Sequence, residues 1–439
     1  MPKKCKYKQG YLDFASHKTK TYECEEDAVK DGLCIFHHPD YWKEHKDEVR
    51  EKFMEKVEDA IRNKKPLFCI GYNLPEVDLS KKKFEAPVYF TEAIFHEEAN
   101  FNEVTFSEVN FNEVTFSEVN FRRARFSSYT IFIGTTFSSG TDFAGAMFSF
   151  DTLFIATFSS FVDFRNATFL SFTGFKEADF EEATTFENLK MSKNSYIVFE
   201  SCNFKKQHLV SFKKTEIMRF LFLSTEIEKI SLRNAKFKEE ILKVHELLKN
   251  PKSQDGLFTF DDVVETYGRL RGNFERNHRF SEAGKFFTGE MEVRRTREYY
   301  EFLREHEKSK KEGFKEWLSF NLKKLYLKVY TNFLSPFALY KAFSEYGESI
   351  LRPITWSLLT IFATPILFIL LGGQTSLQSF ISSYGSNLVK SFGLFAQVLP
   401  VDYPPPSLVT LIEVLERLLA ILFAGLELMA LKRRLERHR

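Results

Sequence analysis

The chain has 439 residues, enough for two or three domains, and a net charge of +2 that removes any global electrostatic case for nucleic acid. Its five cysteines are irregularly spaced, which excludes a disulfide framework, and the opening MPKKCKYKQG has no apolar run that would read as a secretory signal. A reducing cytosol is therefore expected for most of the protein, and its 51 phenylalanines are the compositional feature that needs a cause.

Residues 1–65 hold Cys5, Cys24 and Cys34, the last inside GLCIFHHPDYW. With His37 or His38 these thiols can form a tetrahedral Cys3His zinc site, because thiolate and imidazole suit that ion. A segment of about 60 residues with little core of its own gains folding energy from such a metal. Free thiols beside a surface His pair are the alternative. Trp42, Val49, Phe53, Val57 and Ile61 recur at helical spacing, so residues 42–64 are expected to form a helix that caps the first coil of the adjoining repeat segment.

From residue 84 to 186, Phe returns every five or six positions, and residues 101–110 recur letter for letter as 111–120. A step of five turns a helix by about 140° and scatters the rings, while an odd step in a flat strand alternates them between faces. Only a chain that turns a corner after each repeat gathers them inside. Small residues stand two places before many of these rings, as in Ala124/Phe126, Ala146/Phe148, Ala156/Phe158, Ala167/Phe169, Ala178/Phe180 and Ala235/Phe237, with Val104 and Val109 elsewhere. This pattern resembles the pentapeptide-repeat family over roughly residues 66–238. The resemblance implies a right-handed quadrilateral β-helix, of about eight coils and roughly 40 Å at about 4.8 Å per coil. Six-residue steps imply bulged corners.

Residues 239–312 change to a helical pattern. KEEILKVHELLKN precedes a turn, and a helical hairpin comes after it. Thr259 or Asp261 can cap its first helix, and its second starts near Ser281. This hairpin resembles the linker in pentapeptide-repeat members that carry a channel-like C-terminus. Glu290, Glu292 and His278 are expected on a solvated face. Residues 313–345 interleave lysines with Trp317, Leu318, Phe320, Leu322, Leu325 and Tyr326, as an amphipathic helix on an anionic membrane surface would.

No charge occurs between Arg352 and Lys390, so a membrane span is expected at about 353–372. A second is expected at 407–431, although it contains Glu413, Glu416, Arg417 and Glu427. On a helix these residues share a sector of about 100° with Ala420 and Ala424, as a water-lined bundle interior requires. A stripe of inter-helix ion pairs is the alternative. Lysines before the first span and Lys432, Arg433 and Arg434 after the second put both termini and the β-helix in the cytoplasm.

Span, half-buried helix, short extended segment, proline-marked turn and polar-striped span, in that order, resemble the two-transmembrane potassium-channel family over residues 346–435. The resemblance implies a re-entrant pore helix at 386–398 and a filter region at Gln397, Val398, Leu399, Pro400, Val401 and Asp402, with Asp402 on the family's filter-flanking Asp. Leu399, Pro400 and Val401 stand where the family has Gly-Tyr-Gly, and they resist the dihedrals that aim carbonyls at an ion. A dehydrating potassium filter is therefore not expected. No phosphate loop, nucleophile elbow or acid/base pair stands out, so catalysis is not expected. The expected function is a homo-oligomeric, preferably tetrameric, cation-leaning channel for inorganic ions, with a sensing or docking β-helix. A non-conducting membrane-anchored scaffold is the alternative.

Overall fold

The computed structural model describes residues 3–13, 18–192, 195–235, 259–307, 314–371, 377–398 and 408–437. The chain divides into two compact units, Met1–Asn273 and Phe274–Arg439. The helix expected within 239–250, the residues Leu399–Asp402 and the pair Ala235/Phe237 at its second member lie outside the described residues.

The first unit is built on a parallel β-solenoid of about seven turns, one fewer than the repeat length suggests. Its interior is four columns of rings. One runs Phe90, Phe111, Phe132, Phe154, Phe175 and Phe199, stacked at centroid spacings of 5.5, 5.0, 4.7, 4.7 and 4.9 Å. Phe95 to Phe204, Phe101 to Phe212 and Phe84 to Phe169 form the other three, and neighbouring columns meet edge to face. The small-residue sites are buried beside them, as at Val104, Ala124, Ala146, Ala167 and Ala178. Each buried ring contributes on the order of 1.5–3 kcal/mol.

Corners explain the period. One column of corner residues, Lys81, Glu103, Arg123, Gly145, Asn166, Asn188, Lys214 and Asn234, has φ between 52 and 71°. Three residues before members of this column, Asn100, Asn120, Asp142 and Asp163 each accept the backbone N–H two residues on, which fixes the turn, and Asn110 does the same ahead of Glu113 at a different corner. The expected bulges occur where facing steps differ in length. Register shifts between Phe116 and Glu118, opposite the six-residue step from Phe95 to Phe101. It shifts again between Ile133 and Thr135, opposite the four-residue step from Phe154 to Phe158.

Both ends of the solenoid are covered. A hairpin of β1 (Lys8–Asp13) and β2 (Lys18–Glu23) precedes a short helix α1 (Tyr41–Glu44) and α2 (Lys46–Arg62). Helix α2 buries Val49, Phe53, Val57 and Ala60 and lies on the first-turn strands Leu67–Phe68 and Lys83–Phe84. Trp42 belongs to α1 rather than to the capping helix, and it stacks on His96 at 4.3 Å. At the other end lies α3 (Phe260–Arg276). Its Thr259 and Asp262 exchange hydrogen bonds as a capping box. Thr266 Oγ1 accepts the Phe222 N–H, and Asn273 Nδ2 donates to the Ile227 and Ile230 carbonyls. The last edge is thereby satisfied.

The second unit is helical, with α4 (Phe280–Glu307), α5 (Phe314–Val329), a π-helical turn at Tyr330–Leu334, α6 (Pro336–Ser344), α7 (Leu351–Leu371), α8 (Leu377–Phe395) and α9 (Leu408–Arg437). Trp317, Leu318, Leu322, Leu325 and Tyr326 of α5 are exposed. Among the described residues one helix, α7, is long and apolar enough to cross a membrane; α9, expected as a second span, carries too many charges to qualify on composition.

Candidate metal centre and polar helix cluster

Three loops converge at the N-terminus. Cys5 precedes β1, Cys24 follows β2, and Cys34 opens the turn that ends at His37. The ligand atoms of Cys5, Cys24, Cys34 and His37 all lie within 4.8 Å of one another, and all four residues are buried. Cys24 Sγ and Cys34 Sγ are 3.8 Å apart, and His37 Nδ1 is 3.1 Å from Cys34 Sγ and 3.6 Å from Cys5 Sγ. Tetrahedral zinc with Zn–S near 2.3 Å has S···S edges of about 3.8 Å, so the donor set and its spacing are compatible with a structural zinc. Sharing a proton with Cys34, and then the nearby His37, hold the Cys24 thiol well below its ordinary range. The Cys34 amide donates to Cys5 Sγ at 3.3 Å.

The choice between the two histidines is decided by what surrounds them. His37 Nε2 lies 2.9 Å from the Ile70 carbonyl, which leaves Nδ1 to face the thiols. His38 turns elsewhere, toward Asp31 at 3.4 Å and the Asp40 amide at 3.2 Å. Tyr7 stacks on His37 at 3.9 Å, and Gly71 makes room for it.

In the helical unit the acids expected on a solvated face are withdrawn from solvent, Glu290 buried and Glu292 half-buried. Glu292 accepts hydrogen bonds from Arg295 Nη2 at 2.8 Å and Tyr346 Oη at 2.6 Å, and pairs with Lys341 at 2.8 Å. Burial pushes its carboxyl up, but Arg295, Lys341 and Tyr346 outweigh that and hold it at about 2. Arg295 also donates to the Thr331 carbonyl and Asn332 Oδ1 within the π turn, at 3.0 and 2.9 Å. Arg433, near the end of α9, donates to the Tyr346 carbonyl at 2.7 Å and pairs with Glu348 at 3.2 Å. One knot thus ties α4 to the segments before α7 and after the apolar part of α9. Glu290 pairs with Arg294 at 3.0 Å. Sequence spacing carried no signal for the knot, because its members come from four separate segments.

Helices α7 and α9 run antiparallel, with Ser357 donating to Glu427 at 3.4 Å at one end and Phe368 beside Val409 and Ile412 at the other. The expected lining stripe is split. Glu413 is 2 % exposed and pairs with Lys390 of α8 at 2.5 Å. Glu416 is equally buried, with one carboxyl oxygen within hydrogen-bond distance of Ser391 Oγ. Ala420 is also buried, Arg417 and Glu427 are half-buried, and Ala424 is exposed. Arg417 Nε and one oxygen each of Glu413 and Glu416 are buried without a partner among the described residues. Pro365 cannot donate to the Ile361 carbonyl four residues back, and Ser391 Oγ does so instead at 3.0 Å. Tyr384 donates to the Phe362 carbonyl at 3.0 Å, and Lys390 lies 5.5 Å from the Phe368 ring. Of the filter region, Gln397 adopts φ 62° in the turn after α8 and Val398 is exposed. The helix expected at 386–398 begins earlier, at Leu377, and ends at Phe395.

Residues 97–127 match the family model of pentapeptide repeats, the part of the solenoid where the step of five is strictest. A search of curated proteins finds no similar chain.

Proposed function

We propose that the chain is a membrane-embedded subunit of a homo-oligomeric ion channel, with its pentapeptide-repeat domain in the cytoplasm for sensing or docking. The observation that carries this reading is the position of α8. Its contacts fall on residues 361–368 of α7 and 409–416 of α9, the halves nearest the 372–407 connection. A helix inserted beside one half of an antiparallel pair supports the span, inserted helix and span order of two-span channels. Helix α9 serves as the second span because Glu413 and Glu416 turn toward α7 and α8, while Leu411, Leu415, Leu418, Ile421, Leu422 and Leu428 are exposed. The flanking lysines and arginines favour cytoplasmic termini.

In this reading Glu413, Glu416 and Ala420 seat α8, and Arg417, Ala424 and Glu427, on the more open edge of the stripe, line the water path. Without filter glycines, selectivity leans on carboxylates or a hydrophobic constriction and favours cations. Purified protein in planar bilayers should conduct, and Glu427→Gln should move the reversal potential toward the unselective value. Absence of conductance overturns the channel. The buried Glu413–Lys390 pair favours the second reading in that event, a non-conducting anchored scaffold whose β-helix binds protein. The Cys3His set holds Zn2+ in this proposal, with about one zinc per chain expected by elemental analysis.

A further inference from the structure

A solenoid has an edge at each end that must be covered, and the first turn of this one is covered by the segment that carries the Cys3His set. Beside the packing of the hairpin and α2 on the same strands, four links run from Tyr7 and from the turn that holds the cluster. His37 Nε2 reaches the Ile70 carbonyl at 2.9 Å. The Asn73 amide donates to the Phe36 carbonyl at 2.7 Å, and Asn73 Nδ2 donates to the same oxygen at 3.3 Å. Phe36 stacks on Tyr72 at 4.4 Å. Tyr7, stacked on His37, reaches over Gly71 and donates to Glu92 Oε2 at 3.3 Å. Phe36 and His37 both belong to the turn that begins at Cys34, so a ligand of the cluster and its chain neighbour make three of these links. The hairpin and α2 also touch this turn, with Tyr22 6.3 Å from the His37 ring and Lys56 5.8 Å over the Phe36 ring, but neither contact replaces these hydrogen bonds.

We infer that metal binding at Cys5, Cys24, Cys34 and His37 is the latch that closes the N-terminal end of the solenoid. Zinc bound to Nδ1 fixes the imidazole as the Nε2–H tautomer, and that proton is donated to Ile70. Loss of the ion frees the Cys34–His37 turn, removes the acceptor of the Asn73 amide and loosens the edge of the first turn beneath it. This rests on the zinc assignment above, and it adds that the metal state sets the order of Leu67–Leu74 while leaving the middle turns untouched.

The test is amide hydrogen exchange on the full chain in detergent, with zinc content measured in parallel. Chelation should accelerate exchange of Asn73 and its neighbours through residue 74 by about tenfold or more, leave Phe143 to Phe169 unchanged, and reverse when Zn2+ is returned. His37→Cys keeps four metal ligands but removes the donor to Ile70, so it should retain zinc and still exchange faster over residues 67–74. Zinc lost without faster exchange overturns the latch while leaving the metal site standing. Protein that holds no zinc, and takes none up when Zn2+ is supplied, overturns the site and the latch together.

Discussion

Phe132 shows what one ring does in this solenoid. It lies between Phe111 and Phe154 in its column at 5.0 and 4.7 Å, and is fully buried. Phe132→Ala leaves a cavity that turns above and below cannot fill without moving their own rings, and should cost about 3–5 kcal/mol in chemical denaturation of the solenoid. Gly71 has φ +68°, and a Cβ there would lie 2.0 Å from Tyr7 Oη, so Gly71→Ala should expel Tyr7 and reduce stability by about 1–3 kcal/mol. Glu292 supplies a pH test. Its folded carboxyl titrates at about 2 against an ordinary 4.5, so its stabilising contribution is complete above about pH 4.5 and is lost as pH falls toward 2. Proteolysis of the helical unit should quicken over that window in the native protein. In Glu292→Gln, already destabilised by about 2–4 kcal/mol through unpaired Arg295 and Lys341, that part of the acid response should be missing.

At the scale of elements, α7 depends on α8 for a hydrogen bond it cannot make itself. Ser391→Ala should strand the Ile361 carbonyl and lower detergent stability by about 1–2 kcal/mol, whereas the same change in a Pro365→Ala background should cost less, since the helix then closes its own ladder. The Lys390–Glu413 pair is similar in kind. Lys390→Met alone leaves a buried carboxylate and should lower the thermal midpoint more than Lys390→Met with Glu413→Leu, measured side by side. The proposed channel requires α9 to cross a bilayer in spite of its charges. Of the four charges it carries up to residue 431, Glu413 and Glu416 turn inward onto Lys390 and Ser391.

For the whole molecule, the phenylalanine step alone announced the solenoid, because every repeat meets the same local environment and writes the same residues again. The corners needed for six-residue steps were legible for the same reason, although longer turns, such as those from Phe175 to Phe199 and from Phe186 to Phe212, make the turn count fall short of a simple division. The Cys3His donor types could be read from residues 5 to 38, and so could the length and apolar character of α7. Tertiary structure alone decided that His37 rather than His38 faces the thiols, since the choice turns on the Ile70 carbonyl, 33 residues away in the chain. It likewise decided that Glu292 is half-buried among Arg295, Lys341 and Tyr346 and that Glu413 and Glu416 face α8. A charge declares its presence in a sequence, but its partner is set by which distant segments the packing brings within about 3 Å, and periodicity carries no record of that.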